Sequence, residues 1–305
     1  MKESNPSLGV VIVTHHAKEH LPHCLPPLLN SPLKPRVLVS NSSSHDGTVE
    51  LAEKMGAETL IIPRRMFNHG KTRELARRYL NTDIIVMMTP DAYAVDSQML
   101  GHLVAPLIKK KAAVSYARQI PHAGAGFFSS FARDFNYPSK SHFRTLEDLP
   151  TYGVYTFFCS DSCAAYDNAK LESIGGFQES LLGEDTIAVA RLLQAGETIA
   201  YVAEALVHHS HDYNLKQEFQ RHFDTGLMRQ NIETLFSSAK GDAQRGLAYT
   251  KKLFLHLLKK SPHLLPYAFA QTAAKFLGYH LGRRGEHLPK SLKKTFSSQK
   301  YYWND

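Results

Sequence analysis

Short β-branched runs that alternate with helical stretches from Gly9 to Met88 restrict the fold of this chain more than any other feature. The runs are Gly9-Val10-Val11-Ile12-Val13-Thr14, Arg36-Val37-Leu38-Val39-Ser40-Asn41, Thr59-Leu60-Ile61-Ile62-Pro63 and Asp83-Ile84-Ile85-Val86-Met87-Met88. Continuous apolar runs of this kind belong to strands covered on both faces, as in a parallel sheet. Between them lie a segment punctuated by Pro22, Pro26 and Pro27, then Val49 to Met55, then Thr72 to Leu80, all read as helices. This part is therefore βαβ in type. Polar residues gather where the strands stop, at Thr14 to His16, Asn41 to Asp46, and Asp91. Open parallel sheets bind ligands outside the carboxyl ends of their strands, so a site is expected there. Farther on, Ile187 to Leu193 has helical spacing, Thr198 to Val207 reads as a strand, and Ala117 to Tyr152 reads as loop-rich.

A chain of 305 residues fits two domains, or one large α/β domain with an extension. With 43% apolar and 21% charged residues, the composition excludes extensive disorder, fibrous repeats and a polytopic membrane protein. Cys24, Cys159 and Cys163 are too few for a disulfide scaffold and fit a reducing cytosol. Cys159 and Cys163 have no second pair that would complete a zinc site, and packing is their expected role. The polar start, Met1 to Gly9, shows no signal peptide, and a cytoplasmic location is expected.

The net charge of +8 is unevenly placed. Residues 251–305 hold eleven Lys and Arg against Glu286 and Asp305, a balance of +9, which leaves −1 for residues 1–250. The basic stretch also carries Leu253, Phe254, Leu257, Leu258, Leu264, Leu265, Phe269, Phe276 and Leu277 at helical spacing. Two uses are open for it: a helical lid packed on the main domain, or an amphipathic contact with an anionic membrane surface through residues 251–300. A third is a helix for homo-oligomerisation. No transmembrane span is expected, since Pro266, Gln271, Lys275 and His280 break the apolar stretch. No nucleic-acid motif accompanies the charge, and no such partner is expected.

Phosphate loops of the Walker or Gly-x-Gly-x-x-Gly kind are missing after every strand, as is a Ser-centred nucleophile elbow. What remains is a set of individually weak signals. Asn41-Ser42-Ser43-Ser44-His45-Asp46-Gly47-Thr48 is on its own a turn with a helix cap. Asp91 after Thr89-Pro90 is on its own a turn residue. Gly183-Glu184-Asp185 is on its own an acidic first turn that complements a helix dipole. His208-His209-Ser210-His211 becomes a metal-ligand candidate only if a carboxylate lies nearby.

Taken together, and with Val11-Ile12-Val13-Thr14, Phe67-Asn68-His69-Gly70-Lys71-Thr72-Arg73, Tyr116-Ala117-Arg118-Gln119 and Ile174-Gly175-Gly176-Phe177, they form a specific combination. From about Val10 to Gly226 the chain resembles the family 2 glycosyltransferases with the GT-A fold, in particular rhamnosyltransferase-like members. The resemblance implies an α/β nucleotide-sugar-binding domain over residues 1–226, its nucleotide half about 1–115 and its acceptor half about 116–226. A basic helical extension over 227–305 would follow.

It further implies a pyrimidine nucleoside diphosphate sugar, dTDP- or UDP-linked, as donor, with the base near Thr14 and Asn41. The family usually has Asp where this chain has Asn41, whose amide carbonyl can still accept from the N3–H of uracil or thymine. Asp46 would lie near the ribose or brace its loop, while His69 and Arg73 would contact base or phosphate. The family's Asp-x-Asp element appears here as Thr89-Pro90-Asp91, leaving Asp91 and His211 as ligands for Mg²⁺ or Mn²⁺. Asp185, with Glu184 beside it, matches the carboxylate that takes the proton of an acceptor hydroxyl, with inversion at the anomeric carbon. Arg118 and Gln119 would serve leaving-group phosphate or an acidic acceptor. No Gln-x-x-Arg-Trp motif follows the base, so non-processive transfer is implied.

The apolar stretch Ala123 to Phe131, with Phe127, Phe128 and Phe131, suits a lipid-linked glycan acceptor at an inner membrane face. Two competing classes are a nucleotidyltransferase, which would carry a Gly-rich phosphate loop near Thr14-His15-His16, and a degenerate GT-A fold that binds sugar or acts as a scaffold. Thr89 in place of an acid favours the latter, and the intact Glu184-Asp185 opposes it.

Overall fold

The computed structural model describes residues 6–232 and 242–303. The four runs form β1 (Leu8–Thr14), β2 (Arg36–Asn41), β3 (Glu58–Ile61) and β4 (Ile84–Met88), all parallel, in the order β3-β2-β1-β4. Helices α1 (Leu21–Leu29), α2 (Thr48–Lys54) and α3 (His69–Leu80) connect them. Every residue of β1 and β4 is buried, which accounts for their unbroken apolar character. Because strand order turns back between β1 and β4, their carboxyl ends open onto a crevice.

The sheet continues through β5 (Tyr93–Ala94), β6 (Val114–Ile120), β7 (His142–Arg144), β8 (Cys163–Asp167) and β9 (Ile199–His208). Its full order is β3-β2-β1-β4-β8-β6-β9-β5, with β7 also on β9. β8 runs antiparallel to β4 and pairs Cys163 with Met88, so the segment entering β8 lies beside the segment leaving β4. β6 and β9 are parallel, and their register slips between Ala117 and Arg118. Parallel pairing dominates, and the architecture is that of a GT-A domain. Helices α4 (Met99–Ile108), α5 (Phe127–Asn136), α6 (Leu149–Tyr152), α7 (Asn168–Ser173) and α8 (Glu184–Gln194) complete it. The three cysteines are buried and unpaired.

The stretch 117–152 departs from its loop-rich reading, for it contains the end of β6, then α5, β7 and α6. Gly and Ser masked a helix whose Phe127, Phe128 and Phe131 pack on Leu253, Leu257 and Leu265 of the C-terminal helices. Phe131 is buried by this contact, whereas Phe127 and Phe128 are only partly covered.

The C-terminal part contains α9 (Leu215–Asn231), α10 (Asp242–Lys260), α11 (Leu265–Arg283) and α12 (Lys290–Phe296). The boundary expected after residue 226 falls inside α9. α9 and α11 cross backbone to backbone, as their glycines require. A Cβ at Gly226 would sit 2.2 Å from the Tyr279 carbonyl oxygen, and one at Gly282 would sit 2.0 Å from that of Phe223. The apolar positions of the extension divide into two sets. Leu253 and Leu257 are fully buried, whereas Leu258 and Phe269 are 60% and 62% exposed. No helix among the described residues is long and apolar enough to cross a membrane.

Candidate active site

Where β4 ends, Asp91 meets the residues that follow β9. Its Oδ2 lies 3.5 Å from His209 Nε2 and 3.3 Å from His211 Nε2, and the two ring nitrogens are 3.1 Å apart. Three donor atoms thus converge on one point, the spacing of ligands on one face of a metal ion. Burial acts to raise the Asp91 carboxyl, but hydrogen bonding to His209 and the charges of both imidazoles hold it below the usual carboxylate range. Burial, then His209, lowers His211 to about 4, so its ring is neutral at neutral pH and keeps a lone pair for a cation.

His209 is oriented from behind. Gln119 Oε1 accepts from Arg133 Nη1 at 2.6 Å and sits 2.8 Å from His209 Nδ1. A guanidinium can only donate, so the atom facing both groups is the amide oxygen, and His209 Nδ1 carries the proton. Its Nε2 faces Asp91, the arrangement that an outer partner imposes on metal-binding histidines.

At the start of α8 a second cluster forms. Gly183, at φ 78° in the left-handed region, turns the chain so that Glu184 and Asp185 occupy the first helical turn. Glu184 is buried and pairs with Arg73 Nη1 at 2.7 Å, while Arg73 Nε lies 3.1 Å from Asp161 Oδ2. Burial works against the charge of Glu184, but Arg73 and His69 keep it low. Asp161 goes the opposite way, raised by burial and by Asp185 and Glu184 against the pull of Arg73. Among the described residues Asp185 makes no ion pair, though the Arg73 charge reaches it; it accepts the N–H groups of Asp161 at 3.2 Å and Thr186 at 2.6 Å. Burial and the neighbouring Glu184 charge push its carboxyl up, to about 6. A half-buried carboxyl poised in this way can take a proton near neutral pH.

One tripeptide ties the two clusters together. Ser160 Oγ accepts from Gln119 Nε2 at 2.9 Å, the Asp161 N–H donates to Asp185, and the Ser162 carbonyl accepts from the Thr89 N–H at 3.4 Å. Ser160-Asp161-Ser162 enters β8 at the very place where β4 ends.

The profile of Glycosyl transferase family 2 matches residues 9–175. The chain belongs to this family. Over 302 residues it is 37% identical to the O-antigen chain rhamnosyltransferase RfbN of Salmonella typhimurium, covering 98% of this chain and 96% of that protein. A second relative, the O-antigen chain rhamnosyltransferase WbaN of Salmonella anatum, is 35% identical over 306 residues, with the same coverage. Among solved structures, the mannosyltransferase PcManGT from Pyrobaculum calidifontis, in complex with GDP-Man and Mn²⁺, shares the fold. Its TM-score is 0.59 at 16% identity, covering 99% of this chain and 86% of that one. S. aureus TarS 1-349 with UDP-GlcNAc has a TM-score of 0.57 at 14% identity, covering 93% of each chain.

In this glycosyltransferase Asp91, His211 and Gln119 come together, joined by His209 and Arg133, which motif reading did not select. The signal for His209 was present in the His208–His211 run, but the resemblance paired only His211 with Asp91, and the fold adds His209. The third atom of the Asp91 group is thus the imidazole nitrogen of His209. By strand alternation Arg118 projects to the opposite face of β6 from Gln119.

Glu184 and Arg73 lie in the second cluster, where each is bound to the other, and Arg73 is only 3% exposed. His69 borders that cluster, 3.3 Å from Arg73 Nη1. Asp161, also missed, carried no signal beyond a lone carboxylate between two cysteines. At the ends of β1 and β2, Asn41 is fully buried: its Nδ2 donates to Thr14 Oγ1 and Ser44 Oγ, and its Oδ1 accepts from the Ser44 N–H. Asp46 accepts from the Thr48 N–H and hydroxyl and from the Lys18 N–H, thereby bracing the loop.

Proposed function

We propose that the enzyme transfers one rhamnosyl residue, or a few, with inversion, from a pyrimidine nucleoside diphosphate donor to a hydroxyl of an O-antigen glycan. Likeness to RfbN and WbaN along nearly the whole chain supports the sugar and the acceptor class. The observation that carries the chemistry is Asp185, a carboxyl raised by burial and bonded to the tripeptide that also borders Asp91. Asp185 accepts the proton of the acceptor hydroxyl as that oxygen attacks the anomeric carbon and the nucleoside diphosphate departs. Glu184 stays ionised against Arg73 and keeps the neighbouring carboxyl up.

Asp91, His209 and His211 would hold a divalent cation, and two imidazoles with one carboxylate suit Mn²⁺ better than Mg²⁺. When bound, such an ion neutralises the departing diphosphate. Thr14, Asn41 and Asp46 shape the floor on which the base lies. The test is transfer from dTDP- and UDP-rhamnose to glycolipid from O-antigen-deficient cells, with the product anomer read by NMR. Nucleotide release without transfer to any glycan would overturn the assignment.

The reading includes a membrane surface as the place of the acceptor. Leu255 and Leu258 on α10 and Phe269 on α11 are exposed, and helical spacing puts Lys251 and Lys259 with Leu255 and Leu258 on the side of α10 opposite the buried Leu253 and Leu257. Apolar contact and cationic charge on one face suit an anionic bilayer. A Leu255→Glu/Leu258→Glu variant leaves Leu253 and Leu257 in place, and it is expected to lose flotation with phosphatidylglycerol vesicles.

A further inference from the structure

The end of the chain returns to the carboxyl ends of the first strands. Asp224, fully buried on α9, accepts the Ser298 N–H at 2.8 Å and the Ser298 hydroxyl at 2.5 Å. Gln220 Nε2 donates to the Thr295 and Ser297 carbonyls. Beyond this latch, Trp303 joins the cluster of Leu181, Phe223 and Leu227, and Tyr301 reaches the segment after β3. There the Arg64 guanidinium lies over two rings, 4.7 Å from the centre of Tyr301 and 5.1 Å from that of Phe67. Arg64 Nη1 donates to Ser42 Oγ at 3.0 Å, and its charge helps hold His15 below the ordinary value, after burial. Among the described residues no carboxylate pairs with Arg64, so donors of its planar fork remain for a ligand.

The register places this wall relative to Asp91. Thr14 pairs with Asn41, Asn41 with Ile61, and Ile12 with Met88. The end of β3 therefore lies three strand spacings from the end of β4, roughly 14 Å. A ligand with its diphosphate at Asp91 and its long axis across β1 and β2 would bring its base to Arg64.

We propose that Lys300–Trp303 completes the base subsite of the donor pocket, with Arg64 donating to a ring carbonyl of uracil or thymine. Tyr301 is the positioning residue: with Phe67 it fixes the plane of the guanidinium. The inference rests on the nucleotide-donor reading above and names the residues that choose the base. An arginine fork at the C4 position donates to the carbonyl of uracil or thymine and opposes the exocyclic amine that cytosine carries there.

The experiment is calorimetric titration of the full-length enzyme with dTDP, UDP, CDP and inorganic pyrophosphate, each with Mn²⁺, alongside the unliganded melting midpoint. The expected wild-type result is tighter binding of dTDP and UDP than of CDP. In Arg64→Ala, dTDP affinity falls about tenfold or more while pyrophosphate affinity is unchanged. Tyr301→Ala loses affinity in the same direction, and Tyr301→Phe keeps it, because the ring and not the hydroxyl carries the effect. Unchanged dTDP affinity in Arg64→Ala and Tyr301→Ala, with or without a lower melting midpoint, would reduce the tail to a structural seam and overturn this inference alone. A wild type that binds pyrophosphate but no nucleotide would overturn it together with the donor reading.

Discussion

The two clusters that meet at Ser160-Asp161-Ser162 are built on opposite plans. Around Asp91, polar atoms are held with lone pairs unspent: Arg133 and Gln119 turn His209 so that its Nε2 points at Asp91, and His211 stays neutral. Around Arg73, polar atoms are consumed: Glu184 and Asp161 share one buried guanidinium, while Asp185 beside them accepts backbone N–H groups. A ligand site needs convergent donors, whereas a base needs an environment that raises its proton affinity. The same tripeptide supports both and holds them at one crevice.

Separating the two plans experimentally starts with the base. Asp185→Asn is expected to lower turnover by about 10²–10⁴-fold with donor affinity retained, measured as kcat against the dissociation constant for dTDP. Wild-type turnover in this variant would place the base elsewhere. Next, Glu184→Gln leaves the buried Arg73 charge less compensated. Losing one partner of such a pair costs about 3–5 kcal/mol, read from urea denaturation.

On the other side, Gln119→Leu removes the partner of His209 Nδ1 without touching a donor atom of the Asp91 group. Mn²⁺ affinity is expected to fall about 10–100-fold, and the melting midpoint of the metal-free protein to drop because Arg133 and Ser160 also lose a buried partner. Equal affinity would show that His209 is oriented by something other than Gln119.

The smallest effect is the pH dependence. A base raised to about 6 is expected to leave an acid limb in kcat/KM near that pH, shallow above it and tenfold per unit below it. Stability moves the other way. A carboxyl raised in the fold stabilises while protonated, so this contribution is complete below its unfolded pKa and is lost as pH climbs through about 6. In Asp185→Asn both the limb and that slope are expected to vanish.

The first half of the sheet was legible because β1 and β4 are buried on both faces, and burial writes an unbroken apolar run into the sequence. Asp91 and Asp185 were legible as motif positions at a strand end and a helix start. α5 was not, since its Phe127 and Phe131 pack on helices more than a hundred residues later, amid a Gly- and Ser-rich background.

By itself, then, the sequence determined a parallel α/β sheet, the ends of strands where chemistry would gather, and a basic amphipathic extension. These are local properties: hydrophobic period, turn chemistry and charge. Only the tertiary structure decided that Arg73 is spent on Glu184, that His209 completes the Asp91 group, that one face of the extension packs while the other stays exposed, and that Tyr301 returns to Arg64. Each of these depends on which distant residue becomes a neighbour, and neighbours across the fold are set by packing, which no local pattern records.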